Sequence, residues 1–252
     1  MSGMTPRDAN FLNAEHRPYP PPQSPYLMRQ TWSQLLFAHW RVKADDLKKH
    51  LPAGVVLDLF DNDAWVGIVP FQMSDVSLRG VPALPWLSKF LELNVRTYVT
   101  CEDRPGVLFF SLDAANPIAV EVARVSYCLP YFHARMRLHA ADGIVEYRSQ
   151  RRDKRGADAT LHVRYEPSGP ILQASKGSLE HWLTERYCLY TAGRDKLLRG
   201  EIHHHQWPLQ QASAEFLENT MLSGLDLTVL DENPLLHYAE ILPTIEWPIG
   251  PI

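Results

Sequence analysis

Glutamate, asparagine, arginine, tyrosine and histidine recur at strand spacing between Glu92 and Met136, and together these types can bind and protonate a small organic anion. In ELNVRTYV, residues 92–99, the side chains of an extended strand alternate between two faces. Glu92, Asn94, Arg96, Tyr98 and Thr100 then form one row, and Leu93, Val95, Thr97, Val99 and Cys101 the other. The second row belongs in a core, so the first faces a site or water. A guanidinium within an apolar element needs several acceptors, and its fork matches a carboxylate. Arg96 and Arg124 are therefore candidates for anion recognition, with structural salt bridges to Glu92 or Glu121 as the alternative. Tyr98 and Tyr131 add hydroxyl donors, and His133, two residues after Tyr131 on the same strand face, adds an acid/base group. His204 is a second proton-transfer candidate. Its neighbours His203 and His205 would share a strand face and could chelate a metal, but no spacing supplies a third ligand, so the reading is no metal.

Composition bounds what else the chain can be. Its 252 residues carry a formal charge of -4, with 45% hydrophobic and 21% charged residues. That is an ordinary globular balance without the basic footprint of a nucleic-acid partner. No apolar run approaches the roughly 20 residues of a membrane span, and the N-terminus lacks a signal sequence, so a cytoplasmic protein without a membrane partner is expected. Cys101, Cys128 and Cys188 are odd in number and widely spaced, and they read as buried thiols. The sequence holds no GxGxxG after a strand, P-loop, GxSxG or HExxH, and nothing in it calls for a cofactor.

The elements that must position these residues are mostly strands. Residues 1–25 contain NAEHRPYPPPQSP, whose prolines preclude a helix or a central strand, and read as an extended arm, wrapped on the body or disordered. Residues 26–252 are expected to form one domain. LMRQTWSQLLFAHWRV leads into a short helix, ADDLKKHL, with acidic residues first and basic residues last. VVLDLF and AWVGIVPFQM flank Asp61-Asn62-Asp63 as a hairpin. RGVPALPWLS, residues 79–88, is a proline-punctuated loop carrying Trp86, either a flap over the following strand or a cover that packs Trp86 on the core. EDRPG turns the Glu92 strand into VLFFSLD, and Asn116 with Pro117 opens a helix through Arg124. YFHARMRLHA, IVEYRSQRR and ATLHVRYEP form an antiparallel meander. SLEHWLTE is a helix; RYCLYTA, KLLRGEIHHHQW and AEILPTIEW are strands, and NTMLSGLDL is ambiguous. The fold class is mainly β with a few short helices, as curved antiparallel sheets closed or nearly closed into a barrel.

Several ordered segments carry a resemblance: FAHWRV, LKKHLPAGVVLDLFDNDAWVGIVPF, ELNVRTYV, GVLFFSLDA, ARVSYCLPYFHARM, LTERYCLY and HHHQWPLQ. Together, across Tyr26 to Trp247, they resemble the YqjF-like bacterial family of unknown function, which is similar in fold to acetoacetate decarboxylase. The resemblance implies a cone-like or barrel-like antiparallel β domain around a central pocket, with a homo-oligomer as an expectation because oligomers are common among the decarboxylases. Those enzymes place a Schiff-base lysine and a second lysine after a helix and a Tyr-Pro pair. Here the similar segment is Cys128-Leu129-Pro130-Tyr131-Phe132-His133, with Tyr131 and Phe132 at the lysine positions.

The expectation is a protein that holds a small carboxylate- or carbonyl-bearing molecule in a central pocket without a lysine imine. Arg96, Arg124, Tyr98, Glu92 and Asn94 would bind the substrate, and His133, Tyr131 and His204 would serve catalysis if turnover follows. A non-catalytic carrier or sensor, or an oligomer-forming protein whose pocket is filled by side chains, are the alternatives.

Overall fold

The computed structural model describes residues 13–82, 88–193 and 196–252. Strands dominate: β1 Met28–Val42, β2 Val56–Leu57, β3 Ala64–Leu78, β4 Phe90–Cys101, β5 Arg104–Ala114, β6 Tyr131–Ala141 and β7 Ile144–Arg151 are followed by β8 Thr160–Pro167, β9 Cys188–Gly193, β10 Lys196–His204, β11 Gln210–Asn219, β12 Leu235–Glu246 and β13 Gly250–Pro251. Three helices interrupt them among the described residues: α1 Ala44–Lys48, α2 Pro117–Tyr127 and α3 Leu179–Thr184. None of these is long and apolar enough to cross a membrane.

The strands close into two rings that share a wall. The shared strands run β12-β1-β3-β4-β5, each paired antiparallel with the next. On one side β6, β7, β8 and β11 complete a nine-stranded barrel; on the other β9 and β10 return to β12 through Ile202 to His204 and close a smaller ring. Closure leaves few open edges, only the short β2 and β13 ending the series. Strand alternation fills the two rings differently. Leu36, Ala38 and Trp40 of β1, Ile68 of β3, and Leu93 and Val95 of β4 point into the barrel, where they pack on Tyr147, Leu161, Val163 and Tyr165 of the meander. The opposite faces of the same strands line the smaller ring. The two rows of ELNVRTYV thus separate as a core row and a cavity row.

Three bulges decide which residues reach the cavity: one in β3 around Asp75, whose φ is 54°, between the pairs Thr31–Ser74 and Arg29–Ser77, and one each in β1 and β5. In β1 the register against β3 gains one residue between Ser33 and Ala38, at Gln34, whose φ is 52°. The bulge reverses the parity of the strand, so Gln30 and Trp32 before it and Leu35 and Phe37 after it all face the smaller ring. In β5 the extra residue is Phe110: Val95 pairs with Ser111 but Arg96 with Phe109. Phe110 turns to the barrel core while Phe109 and Leu112 stay on the cavity wall.

Local chemistry sets the remaining elements. Asn116 Oδ1 accepts from the Ile118 and Ala119 N–H groups at 3.0 and 3.2 Å, and Pro117 occupies the first turn, so α2 starts where its capping residues dictate. It stops at Cys128, which is left-handed at φ 53°. The Asp142-Gly143 turn has φ of 54° and 83°, both left-handed, as a two-residue hairpin requires.

Two local expectations are corrected and two open stretches are resolved. The turn after β4 is Glu102-Asp103 alone, with φ of 50° and 58°, and Pro105-Gly106 lies within β5 opposite Thr100 and Val99. Asp61 and Asn62 do form a left-handed turn bridged by Phe60 and Asp63, but the run before it does not pair with β3; Val56 and Leu57 instead pair with Thr100 and Val99 of β4. QQASAEFLEN, to which no element is assigned from sequence, is β11, and the ambiguous NTMLSGLDL begins at the last residue of β11 and holds a 3-10 turn at Ser223–Leu225. Residues 13–25 of the N-terminal arm lie on the body: Arg17 donates to the Ile202 carbonyl at 2.6 Å and stacks on Tyr187, and Trp247 Nε1 donates to the Ser24 carbonyl at 2.7 Å. Residues 1–12 and Trp86 lie outside the described residues.

Candidate functional site

The smaller ring is not filled by side chains. It encloses a cavity of about 400 Å³ walled by β1, β3, β4, β5, β10 and β12 and flanked by α2 and α3. Most of the wall is apolar, from Trp32, Phe37, Val69, Phe71, Met73, Phe90, Phe109 and Leu112. Into it come Gln30, Glu92, Asn94, Arg96, Tyr131, Arg186, His204 and Glu246.

Along β4 the polar row meets three environments. Glu92, 3% exposed, accepts a hydrogen bond from the Tyr131 hydroxyl at 3.0 Å. Burial, reinforced by the neighbouring Glu246 carboxylate, pushes its pKa up to about 8, against which the Tyr131 bond works. Glu246 is held at about 7 by burial, partly offset by a short hydrogen bond from the Gln30 amide. Asn94 is buried, and its Oδ1 has no partner among the described residues. Arg96 lies between Phe37 and Tyr98, its guanidinium carbon 5.1 and 5.6 Å from the ring centres. It donates to the Leu183 carbonyl at 3.2 Å, and among the described residues its Nε has no partner and no carboxylate pairs with it. Helix α3 brings that carbonyl there. It is capped by Ser178, whose Oγ accepts from the His181 N–H at 3.3 Å, and it ends beneath the ring at Thr184.

Arg186 is the second guanidinium of the wall. Burial lowers its pKa, and the Asp58 carboxylate at 2.6 Å offsets this. A further bond runs to the Trp182 carbonyl at 2.6 Å, while Nη2 has no partner among the described residues. His204 is fully buried and held neutral, its pKa pushed down to about 3 by burial despite bonds to backbone carbonyls. Its Nδ1 lies 2.7 Å from the His205 carbonyl, the contact of an N–H donor.

The structure thus brings Glu92, Asn94, Arg96, Tyr131 and His204 together on one cavity and leaves Tyr98, Arg124 and His133 off its wall. Tyr98 is on the cavity row of β4 but past its end, where its hydroxyl lies 2.6 Å from His39 Nε2 and its ring packs on Trp182. Arg124 Nη1 donates to the Tyr131 carbonyl at 2.6 Å and so fixes the start of β6 instead of facing the cavity. The His133 backbone N–H donates to Asp153 Oδ2 at 3.2 Å, and His133 is not among the residues of the cavity wall. Of the internal partners weighed for the arginines, Glu92 bonds Tyr131 and Glu121 pairs with Arg155 at 2.6 Å, so neither neutralises Arg96. Among the described residues no group of three or more His, Cys, Asp or Glu side chains is arranged to hold a metal. All seven lysines are exposed and none lines the cavity.

Gln30, Arg186, Glu201 and Glu246 are charged or amide wall residues that the sequence did not assign to the site. Each lies in or beside an apolar run, which is the signal that marked Arg96, but only the ring closure shows that they share its space.

A family model for DUF2071, described as an uncharacterized conserved protein, matches residues 29–243. The uncharacterized protein YqjF of Bacillus subtilis is 41% identical over 228 residues, covering 90% of this chain and 93% of that protein. Among solved structures, the acetoacetate decarboxylase of Legionella pneumophila superposes with a TM-score of 0.61 at 13% identity, covering 96% of this chain and 93% of that one. The enduracididine biosynthesis enzyme MppR complexed with pyruvate gives 0.61 at 10% identity, over 90% and 91% of the two chains. An acetoacetate decarboxylase-like enzyme from Sphingomonas wittichii gives 0.59 at 13%, over 91% and 94%. At these identities the likeness to the solved structures is one of fold.

Proposed function

The chain belongs to the DUF2071 family of uncharacterized conserved proteins, and from that premise we propose that its cavity binds a small organic molecule bearing a carboxylate or a carbonyl. The observation that carries this is Arg96, a cavity-wall guanidinium that has no carboxylate partner among the described residues. Arg96 is partly buried, with its Nε shielded from solvent and unpartnered among the described residues; a cation drawn out of water without a counter-charge gains when an anion arrives, and the planar fork of arginine is suited to a carboxylate. Arg186, though its charge is balanced by Asp58, has an Nη2 without a partner among the described residues, and the amide of Asn94 adds further hydrogen-bonding capacity.

The Glu92–Tyr131 pair supplies the second half of the reading. With its pKa raised to about 8, Glu92 is protonated at neutral pH and can donate to a ligand carbonyl, where an ionised carboxylate would only repel it. Tyr131, held on Glu92, orients that acid. A lysine imine has no part in this, since every lysine is on the surface. The fold-mate MppR has been solved complexed with pyruvate, a molecule of the proposed class.

The test is a thermal-shift screen of small carboxylates, oxo acids and ketones on wild type and Arg96→Ala. A ligand at about 100 times its dissociation constant stabilises the native state by about 2.7 kcal/mol. The expected result is a rise in Tm for carboxylates that the variant loses. Equal shifts in both proteins would overturn the role of Arg96.

A further inference from the structure

Resting on that reading, we propose that the carboxylate carries an unbranched apolar chain, with its head at Arg96 and its tail running along β4 to leave the cavity between α2 and the end of β3. The two ends of the cavity differ in the way such a molecule requires. Arg96, Thr184 and Arg186 stand at the end closed by α3. At the other end the border is Leu78, Val81, Ile118 and Val122, which are 50%, 49%, 50% and 54% exposed. A cavity made for a compact, fully polar acid gains nothing from an apolar rim. A chain that reaches the rim covers side chains that otherwise stand in water.

Length agrees with this. From Phe90, towards the rim, to Arg96 the strand advances roughly 20 Å at about 3.3 Å per residue, several times the length of pyruvate. Two polar pairs passed on the way do not oppose an apolar chain, and Asn94, whose Oδ1 has no partner among the described residues, stands two residues from Arg96 at the head end. Tyr131 is bonded to Glu92, and Gln30 to Glu246, so their hydrogen bonds are already made within the wall and none is broken by a methylene passing over them.

Isothermal titration with butyrate, octanoate and dodecanoate, each below its micellar concentration, tests the proposal, with dodecanol as the headless control. Burying one methylene strengthens binding about fourfold, so affinity should climb by about that factor per added carbon until the chain reaches the rim. In Val122→Asp and Leu78→Asp, whose parent side chains are half exposed and outside the cores, dodecanoate should lose at least tenfold while butyrate binding is unchanged. Affinity that does not depend on chain length, with butyrate still bound through Arg96, would overturn the apolar chain and leave the carboxylate reading standing. Failure of every acid would overturn both, as would dodecanol binding as tightly as dodecanoate.

Discussion

Replacing Glu92 by glutamine should stabilise the protein, and increasingly so as the pH rises. The glutamine oxygen can accept the Tyr131 hydrogen bond that Glu92 Oε2 accepts at 3.0 Å, so packing and hydrogen bonding are kept and only the titration is removed. In the folded state burial raises the Glu92 pKa from 4.5 to about 8, whereas the unfolded chain releases this proton near 4.5. Between those values the native state holds more protons than the unfolded state, so stability falls as pH rises through the window. At about 1.4 kcal/mol per tenfold change in proton affinity, the full rise corresponds to roughly 5 kcal/mol by about pH 8. Water admitted by the cavity screens part of this, so about 2–3 kcal/mol is the expected advantage of the variant at that pH. Near pH 4.5 both proteins carry a neutral group and should be equally stable to within about 0.5 kcal/mol. Urea unfolding followed by tryptophan fluorescence at several pH values reads the difference directly. A constant offset between the two proteins across the window would refute the raised pKa and, with it, the protonated Glu92 on which the carbonyl contact depends.

Other substitutions test the frame that holds the site. Asp58→Asn strips Arg186, whose side chain is 4% exposed, of its carboxylate at 2.6 Å; because Asp58 is itself partly exposed, a loss of about 2–3 kcal/mol is expected in chemical denaturation. Asn116→Ala removes the acceptor of two N–H groups at the start of α2 and should cost about 1 kcal/mol by the same measurement. Gly106→Ala would place a methyl 2.7 Å from the Cys188 carbonyl and Sγ, at the parallel join of β5 and β9, and should lower stability by about 1–3 kcal/mol while opening the smaller ring to faster amide exchange in β9.

What the sequence disclosed was whatever depended on near neighbours. The alternation of ELNVRTYV separated core row from cavity row because strand geometry alone decides it. Asn116-Pro117 and Asp142-Gly143 announced a helix start and a hairpin because capping and left-handed turns have few chemical solutions. The ordered segments from FAHWRV to HHHQWPLQ carried the family, and with it the barrel. The strand at Gln210–Asn219 was hidden because its inward residues include Ala212 and Ala214, which suit a helix as well as a strand. Val56 and Leu57 were assigned to the nearer strand, whereas β1, longer and more apolar, occupies that edge of β3. Site membership depended on ring closure. Arg124 and Arg96 look alike as arginines inside apolar elements, yet one ends on the Tyr131 carbonyl and the other on the cavity wall. Glu246 enters the site because β12 lies beside β10 and β1, a neighbourhood set 150 residues away from Arg96.

The central claim is that Arg96 meets a ligand's carboxylate, and a crystal structure of the complex with the tightest-binding carboxylate from the titrations tests it most directly. Carboxylate oxygens are expected within hydrogen-bond distance of the Arg96 guanidinium, with the rest of the molecule directed past Glu92 towards α2. A carboxylate seated in water at the rim, with Arg96 still bonded only to the Leu183 carbonyl, would contradict it.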